Sequence, residues 1–355
     1  MLQRARKLLF SLLRIGAGVG ISVWLVGKTL REPAPGVKLS LAEALSRLRD
    51  NLGDAVMPLL VLAVAAYFLS QFITAYRWRL LLAVQGVHIP YWEAMRLNLI
   101  GLFFNLAIPG AVSGDLVKMA YISRHMPEKS AESILCTVVD RILGMLGLFV
   151  LASLMVLANL PFLLALGPES RTVKLAAFVV GLGSLGGILA MAAVELRETF
   201  LRIGPIRRLT DWVAARLPKG LAVLAARATA AVELFRRNRA TVLWALLLSL
   251  VVHVLLATCL FLIGRGVHET VMSARGYFLA APVANAISAI PLTPSGFGLR
   301  DFGLNLFFQA MHATPGKNTI IPVIQTLIIV LIGLTGGLVF AFSRAPARKP
   351  SPSPG

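Results

Sequence analysis

Long apolar segments constrain this chain more than any other feature of its sequence. A helix needs about 20 apolar residues to cross the hydrocarbon core of a bilayer, which is roughly 30 Å thick. The stretches that meet this length are residues 8–27, 56–76, 131–158, 173–194, 240–264 and 319–342. Of the 355 residues 57% are hydrophobic and 14% are charged, whereas a soluble domain has about 25% charged residues. The pattern predicts an all-α polytopic membrane protein with six full transmembrane helices and excludes an ordinary soluble enzyme.

The first apolar segment also has one feature of a secretory signal peptide, because Arg4, Arg6 and Lys7 precede it. Its apolar run is long, however, and no Ala-x-Ala cleavage pattern follows. We therefore interpret residues 8–27 as a membrane span.

Two further apolar regions, residues 94–126 and 276–312, are interrupted near their middle. The interrupting residues are prolines and glycines: Pro109, Gly110, Gly114, Pro291, Pro294, Gly296 and Gly298. Both breaks read Ile-Pro, three residues, then Ser-Gly, so that Pro109 corresponds to Pro291 and Gly114 to Gly296 at one constant offset. A similar offset relates the spans that begin near residues 56 and 131 to those that begin near 240 and 319. These matches predict a four-plus-four inverted repeat, with two broken or re-entrant helical hairpins added to the six spans.

The distribution of charge predicts the topology. Segment 195–239 carries ten basic and four acidic residues, so by the positive-inside rule it is cytoplasmic, as are both termini. Under this topology the two hairpins enter from opposite sides and point at each other; ordinary kinked full spans remain the alternative. The predicted organisation is a first membrane repeat (1–194), a basic cytoplasmic amphipathic linker (195–239), a second repeat (240–342) and a disordered tail (343–355).

Charged residues within or beside the apolar segments are the main functional signal, because burying a charge in hydrocarbon costs at least a few kcal/mol. Arginine suits phosphate, since its planar guanidinium donates two parallel hydrogen bonds. The candidate residues for binding a lipid headgroup or phosphate are Arg77, Asn105, Ser113, Asp115, Lys118, Asp140, Arg141, Ser295, Arg300 and Asp301. The alternative is that the charged pairs are structural and tie helices together. For Arg77-Trp78-Arg79 the alternative is an interfacial anchor with Trp78 at headgroup depth.

The remaining motifs exclude several functions. The two cysteines and five histidines show no metal-binding spacing, so neither a metal nor a cofactor is expected. The basic segment 195–239 is too short for a folded nucleic-acid-binding module and is better suited to the anionic cytoplasmic leaflet.

Several separated motifs resemble one membrane-protein family. They are Phe103-Phe104-Asn105, Pro109-Gly110, Gly114-Asp115, Asp140-Arg141 with Gly144, and the run from Pro291 to Arg300-Asp301. This pattern is similar to the lysylphosphatidylglycerol synthase transmembrane family, whose flippase-like members include the membrane half of the multiple peptide resistance factor. Members typically have Gly-Gly-Asp followed by Arg, where this chain has Ser113-Gly114-Asp115 and Lys118. Members also have Pro-Gly-Gly-x-Gly-x-Arg-Glu, where this chain has Pro294-Ser295-Gly296-Phe297-Gly298-Leu299-Arg300-Asp301.

The resemblance implies a flippase-like protein that moves lipids across the bilayer. No soluble aminoacyl-transfer domain follows residue 342, so lysyl transfer is not expected. The sequence thus predicts a multi-pass protein of the inner membrane that translocates a phospholipid or lipid-linked headgroup through a polar cavity. Its expected partners are anionic phospholipid or polyprenyl-phosphate, and a glycosyltransferase or lipid-synthesis protein. The alternatives are an intramembrane lipid-modifying enzyme and a non-transporting scaffold for a glycosyltransferase system.

Overall fold

The computed structural model describes residues 38–107, 113–167, 170–195, 237–288 and 299–343, together with Arg31, Glu233 and Phe235. These residues form helices and no strand. The α-helices are α1 (Leu41–Gly53), α2 (Met57–Val84), α3 (Tyr91–Ala107), α4 (Ser113–His125), α5 (Ser130–Ala158), α6 (Leu160–Ala165), α7 (Arg171–Glu195), α8 (Arg239–Gly266), α9 (Ala274–Ser288), α10 (Leu299–Ala310) and α11 (Lys317–Phe342).

Long apolar helices dominate this part of the chain. The segments long and apolar enough to cross a membrane are Met57–Val84, Pro127–Ala158, Arg239–Gly266 and Lys317–Phe342. They coincide with four of the six predicted spans, and α7 covers a fifth with 25 residues. The predicted span 8–27 lies outside the described residues. The prediction of an all-helical membrane protein is therefore confirmed.

Short helices flank both predicted breaks. Helices α3 and α4 have 17 and 13 residues, and α9 and α10 have 15 and 12. Each is shorter than the roughly 20 residues of a full span. Most of the break residues lie outside the described part of the chain, namely Pro109, Gly110, Pro291, Pro294, Gly296 and Gly298, and so does the predicted binding residue Ser295.

Helices at equivalent positions of the predicted repeat contact one another in a reciprocal pattern. Helices α2 and α8 begin and end at equivalent positions, and these two 28-residue helices pack against each other. Helix α3 packs on α11, while α9, which lies at the repeat position of α3, packs on α5. The first-half and second-half helices are therefore interleaved rather than separated into two bundles.

Glycine permits the closest of these contacts. Gly336 of α11 faces the backbone carbonyl of Leu99 in α3, where a Cβ atom would collide with backbone atoms. A Cβ atom on Gly337 would lie 2.8 Å from the ring of Phe103. Small residues let membrane helices approach closely enough for dispersion forces to hold them together. The contact fixes α3, and with it the entrance to the first break, against the second half of the chain.

Helix α1 is an amphipathic cap beside α11. Ser40 accepts a hydrogen bond from the Glu43 backbone N–H (3.2 Å), and Glu43 accepts one from the Ser40 N–H (2.9 Å), which is a capping box. These bonds lower the pKa of the exposed Glu43 carboxyl. Ala44 is buried against Val323 of α11, so the cap is attached to a long apolar helix.

Candidate functional site

A polar cavity of about 290 Å³ lies among helices α2, α3, α4, α5 and α8. Its polar and charged lining consists of Gln71, Thr74, Arg77, Asn98, Asn105, Asp115, Lys118, Asp140, Arg141 and His253. Apolar side chains, including Leu102, Met145 and Val252, complete the wall. Six of the ten sequence-predicted binding residues therefore line one space.

A buried ion pair forms the first wall of the cavity. Nε of Arg77 in α2 donates to Oδ1 of Asp140 in α5 over 2.8 Å, and Nη1 donates to Oγ of Ser249 in α8 over 3.0 Å. No hydrogen bond to Nη2 is found among the described residues. A Cβ atom on Gly144 would lie 3.3 Å from Nη2, so the absent side chain leaves room for the guanidinium. Arg77 thus joins three long helices through Asp140 and Ser249.

A second group of charges lies on α4 and on α5, next to the first. Asp115, in the first turn of α4, accepts a hydrogen bond from Nε of Arg141 in α5. Nζ of Lys118 lies 3.8 Å from Oδ1 of the same carboxylate and donates to Oδ1 of Asn98 over 2.9 Å. Asp115 and Lys118 are buried, whereas the Arg141 side chain is 42% exposed. Arg141 therefore lies where the cavity meets its surroundings.

Hydrogen bonds between the end of α3 and the start of α4 fix the position of Asp115. Oδ1 of Asn105, near the end of α3, accepts from the Gly114 backbone N–H (2.7 Å) and from the Ser113 hydroxyl (3.2 Å). Gly114 faces the backbone of Gly101, where any Cβ atom would collide. The Ser-Gly-Asp sequence thus pins the start of α4 to α3. Ser113 acts by positioning, since it contacts Asn105 and does not line the cavity.

Sequence reasoning missed three of the residues that line the cavity. Gln71, Thr74 and Asn98 were not singled out, although polar side chains within apolar helices are a usable signal. Nδ2 of Asn98 lies 3.3 Å from Oε1 of Gln71. His253, a histidine within the apolar helix α8, also lines the cavity. Its Nε2 lies 3.1 Å from the Gly144 carbonyl oxygen. Since a carbonyl only accepts, Nε2 carries the hydrogen.

The structure places Arg300 and Asp301 elsewhere. Nε and Nη2 of Arg300 donate to Oδ1 of Asp301 over 2.9 and 2.6 Å, and Nη2 also bonds to Oγ1 of Thr326 in α11. All three residues are buried, and none lines the cavity. The helix that follows the second break thus carries a buried ion pair between adjacent residues. Arg141 and Arg300 do not share one site.

The anchor interpretation of the Arg77-Trp78-Arg79 motif is wrong for Trp78. This side chain has no exposed surface, and its Nε1 donates to Oγ1 of Thr137 over 3.3 Å. Nζ of Lys118 lies 5.2 Å from the centre of its ring. The motif falls inside the 28-residue helix α2, so Trp78 supports the charged site instead of contacting headgroups at the surface.

Comparison with known proteins identifies the family of this chain. No curated protein matches the chain. A family model described as the lysylphosphatidylglycerol synthase TM region matches residues 15–337, which includes every described helix of the cavity. The apolar helices, the charged cavity and this match agree with the resemblance of the separated motifs, and the chain belongs to the lysylphosphatidylglycerol synthase transmembrane-region family.

Proposed function

We propose that this membrane protein translocates a phospholipid or a lipid-linked (polyprenyl-phosphate) headgroup through the cavity between α2, α4 and α5. The observation that carries the proposal is the cavity itself, a charged space of about 290 Å³ among helices suited to hydrocarbon. Polar groups at membrane depth are costly and are retained where they bind or conduct a polar ligand. A headgroup is the polar part of a ligand whose acyl or prenyl chains remain in lipid.

The cavity offers donors that suit a phosphate. Arg77, whose Nη2 lies beside Gly144, and Lys118, whose Nζ donates to Asn98, both line the cavity. Hydrogen bonds from a cationic donor to a phosphate oxygen are roughly twice as strong as neutral ones. Arg141 lies partly exposed at the edge of the cavity, where it would meet a headgroup first.

Alternating exposure of the cavity is the mechanism we propose. In an inverted repeat the two halves exchange conformations, which opens a central site to one side and then the other. The equivalent bounds of α2 and α8 and the reciprocal contacts of α3 and α9 support such a repeat. We place the protein in the inner membrane with both termini in the cytoplasm, because its basic linker follows the positive-inside rule.

Reconstitution tests the proposal. Purified protein in liposomes that contain fluorescent phosphatidylglycerol should expose the inner-leaflet probe to an added quencher. Arg141→Ala removes a charge-assisted hydrogen bond worth about 1.5–3 kcal/mol, so the rate should fall roughly tenfold or more. Arg237→Ala, which changes an arginine whose side chain is 76% exposed and does not line the cavity, is the matched control.

Each other outcome selects another function. Equal rates for the wild type and Arg141→Ala would show that lipid does not pass through this cavity. Chemical conversion of the lipid without translocation would identify an intramembrane enzyme. Neither activity, in a folded protein, would indicate a scaffold.

A further inference from the structure

The charges that line the cavity do not balance. Among the described residues that line the cavity, the basic ones are Arg77, Lys118 and Arg141 and the acidic ones are Asp115 and Asp140, so this set has one positive charge in excess. In the second half, by contrast, Arg300 and Asp301 form a pair with one charge of each sign.

The excess charge can be assigned to Lys118. Asp140 is the carboxylate of Arg77, at 2.8 Å, and Asp115 accepts a hydrogen bond from Arg141. Within the described part of the chain, Lys118 pairs only with the carboxylate that Arg141 already holds, and it does so at 3.8 Å, which is beyond hydrogen-bond distance. Its short hydrogen bond, 2.9 Å, goes to the neutral amide oxygen of Asn98.

Lys118 is buried, so the absence of a carboxylate that pairs with it alone is energetically costly. The residue is 5% exposed and lies against the ring of Trp78. A cation–π contact and one amide hydrogen bond offset part of the desolvation cost of a buried ammonium group, but an opposite charge offsets far more. Nη2 of Arg77 faces the same cavity and has a hydrogen to donate. An anionic ligand in the cavity would therefore supply a counter-charge for Lys118.

We infer that the cavity selects headgroups with a net negative charge, with Lys118 as their counter-charge, and rejects cationic headgroups such as aminoacylated phospholipids. This inference rests on the proposed function and narrows it to one substrate class. A phosphodiester such as phosphatidylglycerol brings one negative charge and neutralises the excess. A lysyl ester of the same lipid is a net cation and would add to the excess instead.

A panel of three fluorescent lipids in otherwise identical liposomes tests this selectivity. Wild-type protein should move phosphatidylglycerol faster than phosphatidylcholine, and lysyl-phosphatidylglycerol slowest. A difference of one charge-assisted hydrogen bond corresponds to roughly a ten- to hundredfold ratio of rates. Lys118→Met should remove the preference for phosphatidylglycerol over phosphatidylcholine, whereas Lys118→Arg should keep it.

A binding measurement separates this inference from the proposed function. Native mass spectrometry of the purified wild-type protein with each lipid reports retention without transport. Preferential retention of phosphatidylglycerol by a protein that moves no lipid would refute translocation and leave the charge selectivity standing. Equal movement of all three lipids would refute the selectivity and leave translocation standing. Retention of none of the lipids, or of the lysyl ester most strongly, would overturn the inference, as would an unchanged preference in folded Lys118→Met.

Discussion

Lys118 and Arg300 stand at equivalent positions of the predicted repeat, and their surroundings differ. Lys118 faces a cavity and has only a distant, shared carboxylate among the described residues. Arg300 has a carboxylate on the adjacent residue, Asp301, where the first half has Met119. One repeat position thus holds a cation that lines a cavity in one half and a cation paired with its neighbouring carboxylate in the other.

A second repeat position shows the same contrast. Gly144 and Thr326 are also equivalent, at the same offset along the chain. Gly144 leaves space beside the guanidinium of Arg77, whose repeat equivalent is Cys259, whereas the Thr326 hydroxyl accepts a hydrogen bond from Arg300. The two halves therefore differ in how residues at two matching positions pair with charged side chains. Mutations at these two positions test the contrast.

The largest expected effect concerns the two cations. Asp301→Asn should destabilise the protein by about 3–5 kcal/mol, because it leaves the charge of buried Arg300 uncompensated. Lys118→Met should leave stability unchanged or raise it, because it removes a cation that already lacks a carboxylate of its own. Thermal unfolding of both variants in detergent measures the difference. Equal losses for the two variants would show that Lys118 and Arg300 are both structural, and the contrast between the halves would fail.

A smaller effect is expected when the first half is given the residue of the second. In Gly144→Thr the new hydroxyl would lie beside Nη2 of Arg77 and accept its remaining hydrogen bond. A ligand would then compete with a bond worth about 1.5–3 kcal/mol, so lipid translocation should slow roughly tenfold. Gly181→Thr is the control, because no atom lies within 4 Å of a Cβ atom there. An unchanged rate in folded Gly144→Thr would exclude Nη2 of Arg77 from ligand binding.

Features with a local cause were predictable from the sequence. Four spans followed from apolar length alone, and their bounds lie near the predicted positions. The clustering of Asp115 and Arg141 was also anticipated, because both lie close to the first break or to the helix after it. In these cases the prediction depends only on the residue types within one short stretch of the sequence.

Pairing between distant helices was not predictable in the same way. Arg77 and Asp140 are 63 residues apart, and the face that each helix turns inward depends on packing that a single sequence does not encode locally. The same reason explains why Trp78 was assigned to the membrane surface and why Arg300 was grouped with Arg141. Charge type located the polar sites, but glycine contacts such as that of Gly336 with Leu99 decide which helices meet.

The smallest expected effect concerns the Thr326 hydroxyl, which accepts a hydrogen bond from Arg300 in the second half of the chain. Thr326→Val keeps the shape of the side chain and removes a hydrogen bond to Arg300, which retains its bonds to Asp301. The loss should be about 1–3 kcal/mol in thermal unfolding, because the Arg300 donor is left buried. Thr335→Val, on the same helix, removes a hydroxyl that donates to the carbonyl of Ile332 and should change stability little. If both variants unfold at the wild-type temperature, Thr326 does not hold Arg300, and the difference between the halves rests on Asp301 and Gly144 alone.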